Sequence, residues 1–207
     1  MKKSIVGVIA LVALLLFAFK PGEEEKYPTL NLGSIMPLAD HVMMNVDGKE
    51  LSLNKVSKEN GTLVIFSCNT CPFVIQWEDR YDDVSGIANR LKIGTVFINS
   101  NEAKRAGDDS YDMMQAHAEA NFYKAPYVLD KNSEVANAFG AKTTPHVFLF
   151  DAQGKLVYKG SIDDNSKDIT AVKEHYLKDA LYALGNGKEI VKNQTDAKGC
   201  SIKRLAE

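Results

Sequence analysis

A chain of 207 residues with 45% hydrophobic residues, 25% charged residues and a formal charge of −2 has the make-up of one globular domain plus a leader. It lacks the excess positive charge needed to hold phosphates, which argues against nucleic-acid binding, and its length argues against two unrelated domains. Three cysteines are too few for a disulfide lattice, and a single CxxC is half a structural zinc site, so redox chemistry is the class left standing.

Taken in chain order, residues 1–20 read as an export signal or N-terminal anchor: Lys2 and Lys3, then the uncharged run 5–19, then Lys20-Pro21-Gly22. Fifteen helical residues would reach about 22 Å against a hydrocarbon core of about 30 Å, which favours a signal peptide over a spanning helix. Leu16 fits a cleavage site poorly, so retention as a tether stays open. Residues 21–29, acidic and proline-containing, suit a linker, and the folded domain is expected over 30–190.

Asp47-Gly48 predicts a hairpin turn in "HVMMNVDGKELSL". "TLVIFS" has the continuous apolar pattern of a strand buried on both faces. After "CNTCP", apolar residues recur every three or four positions from Phe73 to Leu91, which predicts one helix through Arg90. "IGTVFIN", 93–99, completes a right-handed βαβ unit with the cysteines at the strand-to-helix junction. Beyond it come expected helices at 110–122 and 133–139, the latter ended by Gly140, with the extended piece "PYVLD" between them. "HVFLFDAQGKLVYKG" predicts an antiparallel hairpin, and Ile169, Val172, Tyr176, Ala180, Leu181 and Leu184 predict a closing helix stopped by Gly185. The tail, 191–207, is polar and carries Cys200.

Pro72 belongs at the first helical position, because it has no N–H to satisfy and its φ is already helical. Cys71 is then the N-cap, where unpaired N–H groups and the helix dipole favour a thiolate. Cys68 lies upstream in the loop. On this reading Cys71 is the nucleophile and Cys68 the thiol that resolves a mixed disulfide, with the reverse order kept as the alternative.

The order strand, CxxC, helix, strand, Thr144-Pro145, hairpin, helix is similar to the thioredoxin fold, an α/β architecture with a central mixed sheet flanked by helices, here with an N-terminal β-hairpin extension. "NVDGKELSL" looks like the lead-in of the peroxiredoxin and redoxin branch, and "CNTCPFV", "GSIDDN" and "GCSIK" resemble a peroxiredoxin-like branch carrying a CxxC. In thioredoxins and redoxins the strand phenylalanine precedes the nucleophilic cysteine by five residues. Phe66 stands five before Cys71 and two before Cys68, so the resemblance also puts Cys71 in the nucleophile's place. It implies that Pro145 is cis and that Thr144 and Pro145 bind the substrate chain. The peroxidase motif is absent: Val64 and Cys68 stand where peroxiredoxins carry proline and threonine.

Other residues admit plainer roles. Cys200 is an additional redox candidate or an idle thiol. His146 motivates a copper-delivery alternative of the Sco type, since thiolate and imidazole suit that metal. Asp163 and Asp164 fit capping and turn chemistry better than a metal pair. Trp77 fits the core, His41, His117 and His175 have no partner pattern, and Glu78 and Asp79 are proton-transfer candidates by proximity alone. A structural disulfide or redox-inert binding module is the bland reading of the CxxC. The expected function is an exported, extracytoplasmic thiol–disulfide oxidoreductase acting on protein or small-molecule disulfides. It requires no cofactor or metal and would draw electrons from a membrane donor.

Overall fold

The computed structural model describes residues 26–206. The expected signal or anchor at 1–20 and the first part of the linker lie outside the described residues. A seven-stranded mixed sheet forms the centre, in the spatial order β2-β1-β5-β4-β3-β7-β8. Its middle is the predicted βαβ unit: β3 (Gly61–Ser67) and β4 (Ile93–Asn99) run parallel, and every residue of both is buried. β5 (Tyr127–Leu129) extends the parallel set, and β7 (His146–Phe150) with β8 (Leu156–Gly160) adds the antiparallel hairpin on the other side. The N-terminal hairpin, β1 (Met43–Asn45) and β2 (Glu50–Leu51), turns at Asp47-Gly48 and lies along β5 as the sheet edge.

Because successive strand side chains alternate between faces, β3 feeds two cores. Leu63 and Ile65 join Trp77, Tyr81, Phe97 and both CxxC cysteines on one side; Val64 and Phe66 join Phe139, Phe148 and Phe150 on the other. The first side is covered by α3 (Tyr81–Arg90), α4 (Tyr111–Ala120) and α6 (Tyr176–Gly185). The second receives α5 (Glu134–Phe139) and the short α1 (Leu53–Val56). Gly140 closes α5 at φ 58°, and a Cβ there would stand 2.0 Å from the Pro28 carbonyl oxygen, so this turn accepts only glycine.

Two expected helices differ in detail. The helix after the cysteines is α2 (Pro72–Trp77), then a 3₁₀ turn at Glu78–Arg80, then α3. The break coincides with Arg80, whose guanidinium is buried against Asp163 rather than left on a solvent face. The closing helix begins at Tyr176 and not near Ile169, because Asp168 caps a separate 3₁₀ turn at Ile169–Ala171 that leaves Ile169 exposed. A second, two-stranded sheet was not expected: β6 (Thr143–Thr144) pairs antiparallel with β9 (Cys200–Ser201) from the tail.

Candidate active site

The site forms where β3 ends and α2 begins. Cys71 has extended backbone (φ −70°, ψ 125°) and Pro72 opens the helix, so Cys71 is the N-cap, as the proline position predicts. Both thiols of the pair are nearly covered, at 2% exposure for Cys68 and 5% for Cys71. The Thr144–Pro145 peptide is cis, as the resemblance implies, and Thr144 faces both cysteines. Its hydroxyl is 3.2 Å from Cys68 Sγ, and its carbonyl oxygen is 3.2 Å from Cys71 Sγ.

The three thiols are unequal. Cys71 is held well below the ordinary thiol range, chiefly by the Cys68 hydrogen bond, with help from the Cys200 thiol and the Val74 N–H, all against the opposing effect of burial. Cys68 is pushed far up, first by its hydrogen bond to Cys71 and then by burial, with the Asp109 charge adding to both. Cys200 is raised by burial and by Cys71. The directions of these shifts favour the thiolate form at Cys71 over Cys68 and Cys200.

Asp109 is the residue that sequence reasoning missed. Fully buried, it accepts hydrogen bonds from the Asn69 backbone N–H at 2.9 Å, from Asn99 Nδ2 at 2.7 Å and from Asn101 Nδ2 at 3.0 Å. Tyr127 donates its hydroxyl to Asn69 Oδ1 at 2.8 Å. The "NT" dipeptide inside the CxxC is thus moored by a carboxylate some forty positions away. No local pattern separates Asp109 from Asp108, whose backbone carbonyl, and not its carboxylate, accepts from Asn69 Nδ2 at 2.7 Å.

The other candidates are engaged elsewhere. Glu78 accepts hydrogen bonds from the Tyr123 hydroxyl and pairs with His117 Nε2 at 2.6 Å, and Asp79 pairs with Arg80 at 3.0 Å. Neither hydrogen-bonds a cysteine among the described residues. Asp163 is more than a turn residue: it pairs with Arg80 Nε at 2.9 Å and accepts from Trp77 Nε1 at 2.7 Å, all three residues buried. Asp164 accepts from the Lys173 N–H, and His41 lies 3.9 Å from Glu134. His175 is exposed at the start of α6. His146 is buried beside Phe148 (ring centroids 4.4 Å apart), whose side chain belongs to the face opposite the cysteines, and His146 Nδ1 accepts the Lys142 N–H at 3.3 Å. Among the described residues no group of three or more His, Cys, Asp or Glu side chains is placed to hold a metal ion.

Cys200 is the surprise. Through β9 the tail lies against Thr143 and Thr144, which brings Cys200 Sγ to 2.6 Å from Cys71 Sγ.

With this geometry in hand, comparison with known proteins gives a consistent answer. The model of the thioredoxin-like domain family matches residues 48–175. The chain belongs to that family. This thioredoxin-like chain is 33% identical to an uncharacterized conserved protein of Geobacillus kaustophilus, covering 86% of this chain and 94% of that one, with a TM-score of 0.79. At 15% identity it shares its fold with a peroxidoxin of Mycobacterium tuberculosis (76% and 97% covered, TM-score 0.58). At 19% it shares it with the thioredoxin domain of a thiol-disulfide oxidoreductase of Bacteroides vulgatus (63% and 89% covered, TM-score 0.54). No functionally curated protein is detectably similar in sequence. These last two neighbours share the thioredoxin-like fold with this chain.

Proposed function

We propose that the protein is an exported thiol–disulfide oxidoreductase in which Cys71 is the nucleophile and Cys68 a resolving thiol. The observation that carries this reading is the placement of both sulfurs 3.2 Å from opposite ends of one residue, Thr144, beside Pro145. A substrate chain lying along Thr144 would present its disulfide to Cys71. The Cys71 thiolate attacks one substrate sulfur, the other leaves as a thiolate, and a mixed disulfide forms. Cys68 then loses its proton and attacks Cys71, releasing the second substrate thiolate and leaving a Cys68–Cys71 disulfide. Run backwards, the same steps oxidise a dithiol.

The thioredoxin-like family and its oxidoreductase neighbours support this chemistry. Peroxide reduction has weaker support, because Val64 is a buried aliphatic side chain on β3 and Cys68 is a thiol, where a peroxidase would need proline and a threonine hydroxyl. The apolar run at 5–19 supports export, and a reductase outside the cytoplasm would take its electrons from a membrane partner.

The test is exchange between the purified, reduced full-length chain and a peptide disulfide. Wild type should turn it over with dithiothreitol as the reductant, while Cys71→Ser should fall to the uncatalysed rate. Undiminished turnover in Cys71→Ser with loss in Cys68→Ser would reverse the two roles, and no turnover by wild type would remove the reading.

A further inference from the structure

The tail of this chain lies where a substrate would. β9 pairs antiparallel with Thr143 and Thr144, with Thr144 directly opposite Cys200, so the backbone edge next to Pro145 already holds an extended strand with a cysteine in it. The docking is built from several independent contacts. Upstream, the Thr195 N–H donates to Lys159 O at 3.0 Å and the Ser161 N–H to Thr195 Oγ1 at 2.9 Å. Downstream, Ile202 is buried in the second core, and its N–H donates to Lys142 O at 3.0 Å. Lys203 bonds the loop that moors the CxxC through both of its backbone groups: its N–H donates to the Asn101 side-chain Oδ1 at 2.8 Å and its carbonyl accepts from the Ala103 N–H at 2.8 Å. Arg204 donates to Asn137 Oδ1 and to Ala141 O, both at 2.7 Å.

Gly199 shows how close the fit is. A Cβ at that position would stand 2.3 Å from the Thr144 carbonyl oxygen, inside any real contact, so the residue before the tail cysteine must be glycine for the strand to seat. Seated, it places Cys200 Sγ 2.6 Å from Cys71 Sγ, a separation that a small side-chain movement converts to a disulfide.

We propose that residues 199–204 form a tethered, substrate-like strand and that Cys200 is a third redox thiol, which returns to the Thr143–Thr144 edge and resolves a mixed disulfide at Cys71. The inference rests on Cys71 being the nucleophile. A disulfide R–S–S–R first meets Cys71, giving Cys71–S–S–R and a free R thiolate. Cys200 loses its proton and attacks Cys71, the second R thiolate leaves, and a Cys71–Cys200 disulfide holds the strand in place. The two electrons that reduce the substrate come from Cys71 and Cys200. Attack by Cys68 on Cys71 then moves the disulfide to Cys68–Cys71, returns Cys200 to the thiol and frees the tail, with no further oxidant. Substrate chains must displace the strand before they can pair with the edge.

The experiment uses the reduced full-length chain, glutathione disulfide as the probe, and disulfide mapping by peptide mass. Cys68→Ser should release both glutathiones and yield a Cys71–Cys200 disulfide, whereas Cys68→Ser with Cys200→Ser should keep one glutathione on Cys71. Gly199→Ala in the Cys68→Ser background should still be glutathionylated but release the second glutathione about tenfold more slowly, because the tethered thiol spends less time at its target. Retention of glutathione on Cys71 in Cys68→Ser, with normal formation of Cys68–Cys71 in wild type, would overturn the role of Cys200 and leave the exchange reading intact. Failure of Cys71 to react in wild type and in every variant that keeps it would overturn both.

Discussion

At the scale of single residues, the site is a contest among three sulfurs for one negative charge. The balance is tilted to Cys71, whose pKa is lowered chiefly by Cys68 and then by Cys200, against the opposing effect of burial. Alkylation of the reduced chain should therefore label Cys71 first, with an apparent pKa well under about 8.5, and Cys200→Ala, which removes the donor, should move that midpoint upward, as read by the pH dependence of labelling. The same displacement is coupled to stability. A thiol whose folded pKa is depressed stabilises the reduced fold fully above the ordinary thiol pKa, and that contribution is lost as pH falls through the depressed value. Reduced wild type should accordingly lose its stability advantage over Cys71→Ser on acidification, measurable by urea unfolding at a series of pH values. The position of Cys71 at the helix cap was legible in the sequence, since Pro72 fixes the helix start and the helix start fixes the cap. Asp109 was not, because an acid that precedes a helix looks like any capping residue until the Asn69 N–H is found on it.

At the scale of elements, the strands were readable and the interruptions between helices were not. "TLVIFS" and "IGTVFIN" are buried on both faces and carry that pattern in their composition. The break between α2 and α3 depends on a partner more than eighty residues downstream, since Arg80 turns inward to meet Asp163, which in turn holds Trp77. Asp163→Asn keeps an acceptor for the indole but removes the buried counter-charge of the Arg80 guanidinium, leaving it only the exposed Asp79 carboxylate. It should cost roughly 3–5 kcal/mol in urea unfolding, and Trp77 fluorescence provides the signal. β9 shows why the shortest strands escape a sequence reading: two residues, one of them half-buried and the other exposed, have no periodicity of their own and become a strand only through Thr143 and Thr144.

For the whole molecule, the two ends of the described chain meet over one loop. Thr29 donates to Gly140 O at 2.7 Å, the Arg204 guanidinium lies 5.0 Å from the Tyr27 ring centroid, and Arg204 also bonds Asn137 and Ala141. The segment they clasp leads directly into Thr143 and Thr144, so contacts from both ends of the described chain converge just ahead of β6. Ile202 is the apolar anchor of this closure. Ile202→Ala should lower global stability by roughly 2 kcal/mol and, in hydrogen exchange, expose the β6–β9 amides before those of β3 and β4.

The nearness of Cys200 to Cys71 also sets a threshold for anything else that would react there. A thiol on a short tether acts at an effective concentration in the millimolar range, whereas a free partner at micromolar abundance is outnumbered about a thousandfold. Random encounters with dilute disulfides would then seldom succeed. Partners would gain entry in proportion to how firmly they grip the chain outside the cysteine site, so selectivity would reside in the affinity of that grip rather than in the reactivity of the sulfur attacked.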